Sequence, residues 1–89
     1  MCYSNNVIIP CNINGRMIHS LVYFTQGLGS SIYFAINDRT VNGKSMIGVL
    51  SLGINKGDSI KISVVNDDEL VGEEELLRIA LYIRGLGEG

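Results

Sequence analysis

Two stretches of this chain alternate strictly between apolar and polar positions. From Ser31 to Ile36, the residues Ile32, Phe34 and Ile36 fall on one side and Ser31, Tyr33 and Ala35 on the other. From Ser59 to Val64, Ile60, Ile62 and Val64 alternate with Ser59, Lys61 and Ser63. A period of two predicts strands with one buried face. The apolar cluster Val7-Ile8-Ile9 predicts a further strand from Cys2 to Ile9, ended by Pro10, the one proline in the sequence. Asn37-Asp38 predicts a turn, and Arg39 to Val41 a short returning strand.

Elsewhere the spacing is helical. Met17, Ile18, Leu21, Val22 and Thr25 recur at intervals of three and four, with Asn14 or Gly15 placed as N-cap and Gly27-Leu28-Gly29 as the stop. Cys11 to Gly15 before them reads as a loop. Met46, Ile47, Val49, Leu50 and Leu52 predict a short helix, N-capped by Ser45 and stopped by Gly53. A last helix is expected after Gly72, with Glu73, Glu74 and Glu75 in its first turn and a stripe of Leu76, Ile79, Ala80 and Ile83. Asn66 to Glu69 would be a solvated acidic loop before it, and Gly85, Gly87 and Gly89 a frayed tail. The order is β-α-β-β-α-β-α. It predicts an α+β open-faced sandwich, in which three helices cover one face of a four-stranded antiparallel sheet.

Length allows one domain, residues 1–89. The net charge of −2, with the basic residues scattered, excludes the clustered positive surface that direct nucleic-acid binding needs. Cys2 and Cys11 read as free thiols of a cytoplasmic protein. With His19 as the sole histidine, the ligands for a metal centre are too few, and no cofactor motif is present. Gly27-Leu28-Gly29 lacks the preceding strand that a phosphate-cradling loop requires. No apolar run reaches bilayer-spanning length, and Asn5 and Asn6 interrupt the early one where a signal peptide would need continuity.

The segment Val41-Asn42-Gly43-Lys44-Ser45-Met46-Ile47-Gly48-Val49-Leu50-Ser51-Leu52-Gly53 resembles the regulatory segment of the HPr family of the bacterial sugar phosphotransferase system. Gram-positive members read V-N-A-K-S-I-M-G-V-M-S-L-G or close to it there. Lys56-Gly57-Asp58, the strand that follows and the ending Leu81-Tyr82-Ile83 are similar as well, so the resemblance spans nearly the whole chain. The chain carries a short insertion near Glu69 to Gly72. Gly43 stands where alanine is usual, which is expected to loosen the approach to the serine.

The family's second signature, G-L-H-A-R-P, falls without gaps on Asn12-Ile13-Asn14-Gly15-Arg16-Met17. Arginine is kept as Arg16, but Asn14 replaces the histidine that accepts phosphate from enzyme I. An amide nitrogen has its lone pair delocalised into the carbonyl and cannot serve as that acceptor. His19, five positions on, is the alternative acceptor; a plain surface histidine is the simpler reading.

By the resemblance, Ser45 is the target of an ATP-dependent HPr kinase/phosphorylase, and the phosphorylated form binds a catabolite control protein A-like regulator. Crh-type members, which keep the serine and have glutamine for the histidine, are the most similar in character. Arg16, Met46, Ile47 and Leu50 would then serve partner binding. Each has a plainer reading: Ser45 as an N-cap hydroxyl worth about 1 kcal/mol, Arg16 as a solvated first-turn residue, and the apolar three as a cap on the core. The resemblance implies an adaptor or carrier and not an enzyme.

Overall fold

In the computed structural model, which describes residues 1–88, four strands and three helices follow the expected order. They are β1 (Cys2–Ile8), α1 (Gly15–Gln26), β2 (Ser31–Ile36), β3 (Arg39–Asn42), α2 (Met46–Ser51), β4 (Ser59–Val65) and α3 (Glu69–Gly85). A 3-10 turn, Leu86–Glu88, closes the chain. The sheet runs β1-β4-β2-β3, antiparallel at every pairing. Consecutive β2 and β3 form a hairpin through Asn37-Asp38, with Asn37 in the left-handed region at φ 56°. β4 enters between β1 and β2, so the first and last strands meet.

Register explains the alternation. Val7 faces Ile60 across β1 and β4, while Phe34 faces Ile62 and Ile32 faces Val64 across β2 and β4. All six side chains lie on the covered face and are buried. Ile18, Leu21 and Val22 of α1, Val49 of α2, and Ile79, Ala80 and Ile83 of α3 complete this core. The opposite face, with Ser4, Lys61, Ser63 and Tyr33, is left open to solvent. Phe24 and Tyr82 stack at 4.7 Å between ring centroids, with Arg78 over Phe24, and so join α1 to α3.

Three local expectations change. Helix α3 begins at Glu69, because the Asp68 carboxylate accepts the N–H groups of Leu70 and Val71 and caps it. The sequence from Glu69 to Gly72 is therefore its first turn, and Gly72 lies inside it. A Cβ there would meet the Tyr3 ring at 2.7 Å, so glycine lets α3 settle on β1. Gly27 ends α1 with an ordinary right-handed conformation, φ −80°, so no left-handed glycine stops the helix. Gly85 is the last residue of α3, and Gly87 packs on Pro10 within the 3-10 turn, so neither is frayed. Gly89 lies outside the described residues.

Candidate functional site

The start of α1 lies beside the later part of α2 and the residues after it, and the start of α2 lies beside the end of α1. Asn14 caps α1, its Oδ1 accepting the Met17 N–H at 2.9 Å. Ser45 caps α2 with extended backbone (φ −104°, ψ 117°), its Oγ accepting the Gly48 N–H at 3.1 Å. Asn14, Ile18, Val49, Leu50 and Ile54 line a shallow depression of about 130 Å³ between the two helices. Ile47 is 82% exposed and Leu50 about half exposed, whereas Met46 is half-buried and packs on the core. Arg16 is exposed on the first turn of α1. Of the proposed partner-binding residues, Met46 thus contributes mostly to packing, and the other three face solvent.

His19 is exposed on α1 and lines a different groove, with Tyr23, Phe24, Arg78 and Tyr82. It does not share the depression that Asn14 lines.

A clamp that sequence reasoning missed fixes the approach to Ser45. The Thr25 hydroxyl, fully buried, donates to Gly43 O at 2.7 Å. Gln26 Nε2 donates to Lys44 O, Lys44 Nζ donates to Leu28 O at 2.6 Å, and Gly43 N–H donates to Ile32 O at 2.7 Å. Gly43 is buried in this clamp, and a Cβ there would stand 2.7 Å from Ile32 Cγ2 and 3.1 Å from Phe34 Cε2. The expected loosening at Gly43 is therefore absent: the glycine permits close approach to β2. At the far end of α2, Arg39 Nη1 donates to Ser51 O at 2.6 Å, placing a cation where the helix leaves carbonyls free.

Behind the clamp sits Glu75, which the sequence placed with Glu73 and Glu74 in the first turn of the last helix. It is buried, and its two oxygens accept the N–H groups of Gly29 and Ser30 at 3.1 and 3.0 Å. Burial pushes this carboxyl up. The hydrogen bonds from Ser30 and Gly29, together with the nearby Lys44 ammonium, outweigh burial and hold it below the ordinary 4.5. The available signal was positional: Glu75 shares the helical face of Ile79 and Ile83.

Chemically the α1–α2 pair offers two capped helix starts at its opposite ends, the one at Ser45 bearing a hydroxyl, with the exposed apolar side chains of Ile47 and Leu50 on α2. Among the described residues no group of His, Cys, Asp and Glu could hold a metal ion, and no helix is long and apolar enough to cross a membrane. Fold and site together define a small α+β module with capped helix starts and exposed apolar side chains on α2.

Comparison with known proteins gives that module its family. Residues 5–80 match the family described as the PTS HPr component phosphorylation site. The phosphocarrier protein HPr from Bacillus anthracis has a similar structure, with TM-score 0.83 and 26% identity over 92% of this chain and 96% of that one. HPr-C-His from Thermoanaerobacter tengcongensis gives 0.73 and 22% over 100% and 97%. A histidine-containing phosphocarrier protein from a mycoplasma gives 0.65 and 19% over 93% and 97%. The chain belongs to the HPr family, whose members are phosphocarriers of the phosphotransferase system and not enzymes.

Proposed function

We propose that this chain is a regulatory HPr-family adaptor, switched by phosphorylation of Ser45 and unable to carry a phosphoryl group at Asn14. The observation that carries the reading is Ser45 as N-cap of α2, beside the exposed Ile47 and Leu50. In the reaction the Ser45 oxygen bonds to the γ-phosphorus of ATP, the bond to the bridging oxygen breaks, ADP leaves, and the hydroxyl proton passes to the kinase. The phosphate adds nearly two negative charges at the first turn of α2, where the helix dipole tolerates them. It also changes the character of the surface that Ile47, Leu50 and Arg16 present, which is how a partner would read the state.

Asn14 supports the second half of the proposal. Its nitrogen is not nucleophilic, and its oxygen is already committed to the Met17 N–H. The partners are an HPr kinase/phosphorylase and a catabolite control protein A-like regulator or another phosphotransferase-system protein, met in the cytoplasm. In this role the chain is Crh-like and acts as one unit over residues 1–89.

Intact mass measurement after incubation with ATP and a competent HPr kinase tests the reading. One added phosphoryl group, lost in Ser45→Ala, is expected. No incorporation in the wild type would refute the regulatory role and leave an unmodified partner-binding scaffold.

A further inference from the structure

The outer side of α3 carries a pattern unrelated to Ser45. Leu70, Leu77 and Leu81 are 79, 55 and 56% exposed. At 3.6 residues per turn they fall within an arc of about 40°. That arc lies opposite Gly72, Glu75, Ile79 and Ile83, the buried side of the helix. Single exposed leucines are ordinary on any surface, but three in line along one helix make a seam. Exposed charges border it unevenly, with Glu73 and Glu74 toward its N-terminal end, Arg84 toward its C-terminal end, and Arg78 at one edge of its middle, where it is turned over the Phe24 ring.

These charges select what can cover the leucines. The two glutamates would be repelled by an anionic lipid surface. A second copy running parallel would set glutamates against glutamates and arginine against arginine. A second copy running antiparallel, about a two-fold axis level with position 79, does the reverse. Leu77 then lies level with Leu81 of the other copy, and Glu74 level with its Arg84. Glu73 lies one helical rise, about 1.5 Å, from the same level and on the same flank as that arginine. Leu70 lies further out, level with the 3-10 turn of the other copy.

We propose that α3 is a self-association surface through which two copies pair antiparallel. Four leucines, Leu77 and Leu81 from each copy, form its centre, and Glu73 and Glu74 bracket Arg84 at both ends. The contact is isologous, so every interaction occurs twice. A face made by one helix is small, so association is weak, with a dissociation constant on the order of 100 µM.

Sedimentation velocity of the full chain, from about 10 µM to 1 mM, reads this directly. The wild type is expected to rise from its monomer mass of 9.7 kDa toward twice that value. Leu77→Lys with Leu81→Lys, both at exposed positions, should stay monomeric throughout. Arg84→Glu should weaken pairing several-fold, and adding Glu73→Arg and Glu74→Arg to it should restore pairing. A wild type that stays monomeric at the highest concentration would overturn the proposal and leave the seam to a different protein. So would association that survives the two lysines, or a triple variant that pairs no better than Arg84→Glu.

Discussion

Replacing Glu75 by glutamine should cost more stability than any other single change of charge in this protein. The carboxylate accepts one N–H on each oxygen, from Gly29 and from Ser30, and sits near the Lys44 ammonium. Glutamine keeps the shape and one accepting oxygen, and turns an NH2 group toward the other N–H. A hydrogen bond to a charged group contributes about 1.5–3 kcal/mol, and one buried donor is left facing another, so a loss of about 2–3 kcal/mol follows. In a domain of this size that lowers Tm by roughly 10–20 °C.

The pH dependence distinguishes this from a generic packing defect. Glu75 is held below 4.5 in the folded chain, so its contribution is fully present well above 4.5 and is lost as pH falls through the lower folded value. Urea unfolding of wild type and Glu75→Gln should therefore differ most at neutral pH and converge as the pH is taken well below 4.5. A difference that stays constant, or grows, on acidification would refute the role assigned to the carboxylate. A Glu75→Gln protein as stable as wild type at neutral pH would refute it as well.

Further outcomes follow from particular contacts. Gly43→Ala should destabilise by about 1–3 kcal/mol, because its Cβ meets the fully buried Ile32 and Phe34, which have no room to yield. Gly72→Ala should cost less than Gly43→Ala, since its Cβ meets only the ring of the partly buried Tyr3, a side chain that can turn, and alanine returns up to about 1 kcal/mol of helix propensity; calorimetry of both variants checks the contrast. Cys2→Ser with Cys11→Ser should leave Tm nearly unchanged. Cys2 opens β1 and Cys11 lies beyond its other end, and the strand's length of about 20 Å exceeds what a disulfide can bridge. A Cys2–Cys11 bond in non-reducing mass spectrometry would contradict that geometry. Ser45→Ala should cost about 1 kcal/mol as a lost cap, read by urea unfolding, with Ser45→Asp close to wild type.

How far the sequence disclosed all this depended on whether a residue's role was periodic. Ile32, Phe34, Ile60, Ile62 and Val64 announce their strands because burial on one face repeats every second residue. Asn14 and Ser45 announce helix starts because capping needs a local acceptor at a fixed offset. Helix α3 was entered one turn late, because Leu70 and Val71 are exposed apolar residues within an acidic run and break the amphipathic pattern. Thr25 was rightly placed on the buried face of α1, but its bonds, like those of Glu75, could not be read. Each sits on a buried helical face and bonds to backbone groups far away in sequence, on Gly29, Ser30 and Gly43, and no spacing rule encodes such partners. Gly43 looked permissive because it stands where alanine is usual; its neighbours in space are Ile32 and Phe34.

The central claim, a switch at Ser45 with no transfer at Asn14, is tested most directly by offering one sample both phosphoryl donors. Phosphorus NMR with peptide mapping would follow incubation with ATP and HPr kinase, and separately with phosphoenolpyruvate and enzyme I. The account predicts an acid-stable phosphoserine confined to Ser45 in the first arm and no adduct in the second. An acid-labile, base-stable phosphohistidine at His19 in the second arm, with Ser45 unmodified in the first, would contradict it and make the chain a phosphocarrier with a displaced acceptor.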